Sequence, residues 1–180
     1  VGAISLFARS TVDGIDALND LKDATGSSIE NLSALENVAA RTGTSTDTLG
    51  ASLVKLNGVL KEAKAGSEQE KILKAIGLSA AELRKLDPAE ALQQVAVALT
   101  KFADDGNKAR IIQELFGKSV REVAPFLKDL AESGRLNATV TTKQAEEAEK
   151  FNKQLFALQK NSKDAARALV SDLVPALNQF

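Results

Sequence analysis

The sequence predicts an all-α protein: a multi-helix bundle of short capped helices, flanked by an N-terminal helix and a long C-terminal helix. Three observations carry that expectation. Helix-start signals recur along the chain, each a capping side chain followed three residues later by Glu, Asp or Gln. Glycines fall where the helices should stop. Between starts and stops the apolar residues alternate by three and four, as one face of a helix requires. The domain expectation follows: an N-terminal helix over 1–26, a compact bundle over 27–141 and a long helix over 142–180.

Residues 1–26 carry Ile4, Phe7, Ile15, Leu18 and Leu21, and Gly26 supplies the first stop. The next starts are Ser27/Glu30, Thr44/Asp47, Ser79/Glu82, Asp87/Glu90, Ser119/Glu122 and Thr141/Gln144. In each the first side chain can accept an orphan backbone N–H while the partner reaches back to another. Pro88 follows Asp87 at the first helical position, where a missing N–H costs nothing. The later stops are Gly43, Gly66, Gly77, Gly117 and Gly134. Leu49, Leu53, Leu56 and Leu60 make one face, and Leu92, Val95, Ala96, Leu99 and Phe102 another. Ile112, Leu115 and Phe116 close a short helix before Gly117. Val120, Val123, Phe126, Leu127 and Leu130 line the next, where Pro125 should kink the helix or delay its regular start. Ala138 to Thr142 is β-branched but short, and its threonines are expected to cap the helix that follows. Nothing breaks that last helix until Pro175. Ala148, Phe151, Leu155, Leu158, Ser162, Ala165 and Leu169 keep a heptad spacing there, continued by Leu173, Leu177 and Phe180. At ~1.5 Å per residue a helix over 143–180 would reach roughly 57 Å. Part of it should therefore project or need a partner, and the N-terminal stretch is the nearest candidate. Phe151, Leu155, Leu158, Leu169 and Leu173 are its expected helix-interaction face.

Composition narrows the function. The chain has no His, Cys, Trp, Tyr or Met, the residues behind most nucleophilic, metal and redox chemistry. Its 44% hydrophobic content is in the globular range, and its seven aromatics are all Phe, so the core must be mostly aliphatic. A formal charge of -1 argues against an electrostatic grip on nucleic acid. No apolar run approaches the ~20 residues of a membrane span. The start at Val1 lacks both a Met and a signal-peptide pattern, so the chain is expected to be a fragment of a longer parent protein.

Several motifs have a plain reading that outweighs a chemical one. Gly117-Lys118-Ser119 resembles the end of a phosphate loop. The required earlier Gly is Ile112, however, and a helix rather than a strand is expected to precede it. The plain reading is a helix stop at Gly117 and a start at Ser119. Asp104-Asp105-Gly106-Asn107 lacks the remaining ligands of a calcium loop and reads as a turn capping the next helix. Glu146, Glu147 and Glu149 read as a solvated face near a helix start, where acids suit the dipole. The sequons at Asn31 and Asn137 read as chance, and no strand-turn-helix elbow supports Ser-Lys catalysis. No catalytic, metal or cofactor residue is therefore expected, and no enzyme.

One stretch is more distinctive. Glu114-Leu115-Phe116-Gly117-Lys118-Ser119, then Val123-Ala124-Pro125-Phe126-Leu127, resembles the conserved helical region of bacteriophage tail tape-measure proteins. That family shows a Leu-Phe-Gly-[Lys/Arg]-[Ser/Ala] turn and then a short helix with a Leu-Pro-Leu-Leu-like core. The flanking order is similar too. Upstream lie Asp23-Ala24-Thr25-Gly26, Ile29 to Leu35, Thr46-Asp47-Thr48-Leu49, Ala75-Ile76-Gly77-Leu78-Ser79 and Asp87-Pro88-Ala89-Glu90-Ala91-Leu92. Downstream lie Asn152, Leu155 and Leu158, then Leu173-Val174-Pro175-Ala176-Leu177. The resemblance covers roughly Lys22 to Leu177; its departure is Val123-Ala124, where the family has larger aliphatic residues. It implies a segment of a long helical protein threaded through the tail tube, which nucleates tail assembly and sets tail length. Its implied partners are the tail tube protein, tail assembly chaperones and tail-tip proteins. Its implied location is the virion tail, with the host cytoplasm during assembly. Leu115, Phe116, Gly117, Ser119, Pro125, Phe126 and Leu127 form the expected structural turn and core. Some relatives carry peptidoglycan-cleaving domains, and nothing in this chain resembles one. The alternative is a helical adaptor or coiled-coil scaffold unrelated to phage, with self-association through the long helix.

Overall fold

Every regular element among the described residues is an α-helix, and none is a strand. The computed structural model describes residues 2–117, 120–151, 153–154, 156–157 and 160–161. In chain order the helices are α1 (Gly2–Thr25), α2 (Ile29–Thr42), α3 (Thr46–Glu62), α4 (Glu68–Ala75), α5 (Ala80–Leu83), α6 (Pro88–Leu99), α7 (Gly106–Phe116) and α8 (Val120–Glu132). Residues 142–151 are helical as well. The heptad positions expected beyond Phe151, namely Leu155, Leu158, Ser162, Ala165, Leu169, Leu173, Leu177 and Phe180, lie outside the described residues, as does Ser119.

Contacts divide the chain into two compact units. One is Ala17–Thr142; the other comprises Val1–Asp16 and Lys143–Phe180. The boundary near the N-terminus thus falls within α1 rather than at Gly26. The reason is burial: Leu18 and Leu21 on the second half of α1 are 1% and 8% exposed. Leu21 approaches α3 so closely that a Cβ on Gly50 would stand 2.7 Å from its Cδ2.

The unit 17–142 is built around α6 and α8, which pack most extensively on each other. Both also contact α2 and α3, and α7 packs on α3 and α8. In α6 the residues Ala89, Ala91, Leu92, Val95, Ala96, Ala98 and Leu99 are all buried, so apolar contact surrounds most of that helix. Its alanines let neighbours come close while Leu92, Val95 and Leu99 fill the space between. The faces expected from sequence are largely the faces buried: Leu49, Leu53, Leu56 and Leu60 in α3, and Val123, Phe126, Leu127 and Leu130 in α8, with Val120 only half-buried. Each such side chain removed from water contributes about 1.5–3 kcal/mol.

The helix ends partly follow the sequence pattern. The six glycines expected as stops are the glycines with positive φ among the described residues, and no other residue type has positive φ there. Gly117 departs in one angle: φ is 88° but ψ is -155°, so it is not a left-handed helical cap. That combination is essentially restricted to glycine, so the demand for glycine is greater than a left-handed cap would impose. Two starts shift by one residue. The N-cap of α2 is Ser28 and that of α3 is Ser45, not Ser27 and Thr44. At α5, Ser79 is the N-cap but makes no side-chain capping bond. Asp87 and Pro88 begin α6 as expected, and Asp105 caps α7 through the amides of Asn107 and Lys108. The start of α4, Ser67 with Glu70, uses the same three-residue spacing and was not among the expected starts. Pro125 lies inside α8 and does not delay its start, because the helix already begins at Val120. The carbonyl deprived of a donor belongs to Arg121, an exposed residue in the first turn that water can serve.

Two glycines should respond to alanine in opposite directions. Gly58 lies mid-helix in α3, and a Cβ added there would meet nothing within 4 Å, so Gly58→Ala should stabilise by about 0.5–1 kcal/mol. Gly117→Ala should destabilise by more than ~1 kcal/mol because of its backbone angles. Urea unfolding of both variants measures the contrast, and equal shifts would contradict these backbone assignments.

Candidate functional site

Of the residues expected to form the structural turn and core, Leu115, Phe116, Gly117, Phe126 and Leu127 lie at the end of α7 and on α8, and Ser119 lies outside the described residues. Leu115 is fully buried and Phe116 is 5% exposed at the end of α7; Phe126 and Leu127 are buried on α8. Gly117 redirects the chain between them, and its amide donates to the carbonyl of Gln113 at 2.8 Å. Pro125 is exposed on the outer side of α8. The element preceding Gly117 is the helix α7, as the plain reading of Gly117-Lys118-Ser119 required. A groove of about 680 Å³ lies beside this junction, lined by apolar Leu99, Phe102, Ile112 and Leu127 and by charged Lys108, Arg121, Lys128 and Glu132. Lys108 is held by Asp104 at 2.7 Å. The Lys108 hydrogen bond and charge keep the Asp104 carboxyl below its usual range.

A second cleft, of about 800 Å³, lies between the end of α3, α4, α5 and the start of α6. Arg84 is among the residues that line it. Its Nε donates to the Leu60 carbonyl at 2.7 Å and its Nη2 to the Ala63 carbonyl at 2.5 Å. These are orphan carbonyls at the C-terminal end of α3, where a cation also suits the helix dipole.

The most concentrated polar arrangement was not visible as a unit in the sequence. Asp87 joins two helix starts. Its Oδ1 accepts from the Ser27 hydroxyl in a very short hydrogen bond and from the Ala89 amide at 2.8 Å. Its Oδ2 accepts from the Ser28 amide at 2.7 Å. Ser28 in turn caps α2 through the Asn31 amide. Burial alone would raise the Asp87 pKa; the Ser27 hydroxyl, the Ser28 and Ala89 amides and the Asn31 side chain outweigh it and leave it lowered. Ser27 is 0% exposed, so its hydroxyl faces Asp87 and not solvent.

Further along α2, Glu30 and Ser33 hold the segment before the helix at 142. Glu30 Oε1 accepts from the Thr142 amide at 2.7 Å, and Oε2 from the Thr142 hydroxyl at 3.0 Å. Ser33 Oγ accepts from the amides of Thr139 at 3.0 Å and Val140 at 3.1 Å. The Thr142 amide is the largest cause holding Glu30 below its usual pKa, aided by its own amide, the Thr142 hydroxyl and the Lys22 charge against the opposing effect of burial. Glu30 was expected to reach back to its own helix start, and Thr139 to cap the following helix; both are engaged across the fold instead. Ser33 belongs to one chance sequon and Thr139 to the other, and the two meet here. Glu36, half-buried on the same helix, has its pKa raised by burial.

Phe151, expected on a helix-interaction face, is 49% exposed, and Phe156 is 71% exposed. Glu146, Glu147 and Glu149 are exposed, with Glu149 paired to Lys153 at 2.5 Å. Among the described residues no group of three or more His, Cys, Asp or Glu is arranged to hold a metal ion. No helix among them is long and apolar enough to cross a membrane. Comparison with models of protein families, with curated proteins and with solved structures gives no match.

The two carboxylates Asp87 and Glu36 should respond to acid with opposite signs. The Asp87 pKa is lowered on folding, so its contribution is present above its unfolded pKa and lost as pH falls through the folded value. Asp87→Asn should cost about 1–3 kcal/mol at pH ~7, and this penalty should shrink on acidification below pH ~4. The Glu36 pKa is raised, so its charged form opposes folding above that value. Glu36→Gln should therefore raise the melting temperature at neutral pH and lose that advantage in acid. Thermal melts across pH 2–7 check both, and pH-independent differences would contradict them.

Proposed function

We propose that this chain is a structural segment of a phage or prophage tail tape-measure protein, acting in tail assembly and tail-length determination. The observation that carries the proposal is how the residues of the resemblance are used. Leu115, Phe116, Phe126 and Leu127 fill the core, Gly117 makes a turn that only glycine accommodates well, and Asp87-Pro88 opens the central helix. A sequence pattern spent on caps and packing fits an assembly part, in which shape and rigidity are the function. On this reading the bundle docks or nucleates, and measurement belongs to extended helix, including a long C-terminal helix continuing from 142. Its partners are the tail tube protein, the tail assembly chaperones and the tail-tip proteins, in the host cytoplasm during assembly and then in the virion tail. The chain has no enzymatic role and no cofactor in this proposal.

The exposure of Phe151 and Phe156 favours a second reading, a helical adaptor or coiled-coil scaffold unrelated to phage that self-associates through its last helix. Large apolar side chains left in water on one helix are available to a partner surface.

In-frame deletions separate the two readings. Removing whole heptads between Ala148 and Leu169 keeps the apolar seam in register, and should shorten tails by ~1.5 Å per residue removed. Removing Asp105 to Gly134 takes away α7 and α8, and should abolish assembly rather than trim the tail. Tail lengths are read by electron microscopy. Normal tails from both deletions would overturn the tape-measure reading and leave the adaptor standing.

A further inference from the structure

The segment between α8 and the helix at 142 is held in an unusual way. Three successive attachments, the amides of Thr139, Val140 and Thr142, all end on side-chain oxygens, and those oxygens belong to two residues of α2. Glu30 and Ser33 are three positions apart, so they lie on one face of α2, one turn above the other. Ser33 is 1% exposed, and its hydroxyl donates back to the Glu30 carbonyl at 2.9 Å, which orients its oxygen toward the two amides it receives. The Thr139 and Thr142 hydroxyls add bonds to the Ser33 carbonyl at 3.3 Å and to Glu30 at 3.0 Å.

Apolar burial in this segment is slight. None of residues 133–142 is fully buried; Leu136, Val140 and Thr142 are half-buried, and Thr139 is exposed. Separating the segment from α2 therefore exposes little apolar surface. Regions with few buried apolar contacts open locally at a small fraction of the free energy of global unfolding.

We propose that Glu30 and Ser33 form a latch for residues 139–142, which opens as a unit while the helical core of 17–132 stays folded. The closed state fixes where the helix at 142 begins. The open state frees that start from α2 and makes 133–142 a hinge. Glu30 and Ser33 shift the balance between the states, because the amides of Thr139, Val140 and Thr142 have side chains and not a backbone ladder as acceptors.

Native-state hydrogen exchange on the full chain tests this across low urea concentrations. In the wild-type protein the amides of Thr139, Val140 and Thr142 should exchange at least tenfold faster than those of Leu92 and Val95 in α6. Their rates should also be nearly independent of urea, whereas those in α6 rise with it. Glu30→Ala and Ser33→Ala should each accelerate the latch amides further without moving those of α6. Latch amides with the same urea dependence as Leu92 and Val95 in the wild type would overturn the proposal, because opening would then be global unfolding. This wild-type comparison decides the matter even if either variant fails to fold. Variants that fold but leave the latch amides unchanged would equally overturn it.

Discussion

The carboxylate of Asp87 is where the arrangement of the core is set. An isolated N-cap satisfies one helix; Asp87 satisfies the start of α6 and reaches the amide of Ser28, whose own hydroxyl caps α2. Two positive helix ends thus share one negative charge. The buried Ser27 hydroxyl completes the set, so the half-buried carboxylate is offered several donors. Because α2 and α6 both pack on α3 and α8, fixing their starts together fixes the register of the elements that close the core. Around this point the aliphatic faces contribute most of the burial, and the polar contacts select which face meets which.

Much of the fold could be read locally. Three-four spacing identifies the buried faces of α3, α6 and α8, because a helix leaves only one way to place such residues on one side. Glycine stops were legible for the same local reason. The capping positions were less so, and the errors have a common cause. Ser27 and Thr44 have capping chemistry at capping spacing, but their hydroxyls are buried and used in tertiary bonds, to Asp87 and to the carbonyl of Glu122. Capping then passes to the next residue, Ser28 or Ser45. Glu30 likewise leaves its expected local partner for Thr142, and Glu122 accepts from the Thr48 hydroxyl across the fold. Ser67 with Glu70 carried a signal that the same rule would have found. The Glu30–Thr142 and Ser27–Asp87 pairs carried none, since residues about 60 or 110 apart in sequence meet only through the packing of the helices between them.

The distribution of polar groups also clarifies what kind of surface the protein presents. Many of its ion pairs are short-range pairs along one helix, such as Lys71 with Glu68 and Lys153 with Glu149, both well exposed. Such pairs contribute little stability. Arg41 is different, since it links α2 to Asp129 on α8 at 2.7 Å and also reaches Ser133. Charges that join separate elements constrain their mutual placement, even when each contact is individually weak.

The phenylalanines have an optical consequence. With neither Trp nor Tyr in the chain, ultraviolet absorption and emission above the peptide bands come from phenylalanine alone. Phe116 and Phe126 sit in the core, while Phe151 and Phe156 face water. A single tryptophan placed at one of these positions would be a spectroscopic reporter without background. At Phe126 it would follow the interior, and at Phe156 it would follow the environment of the last helix alone.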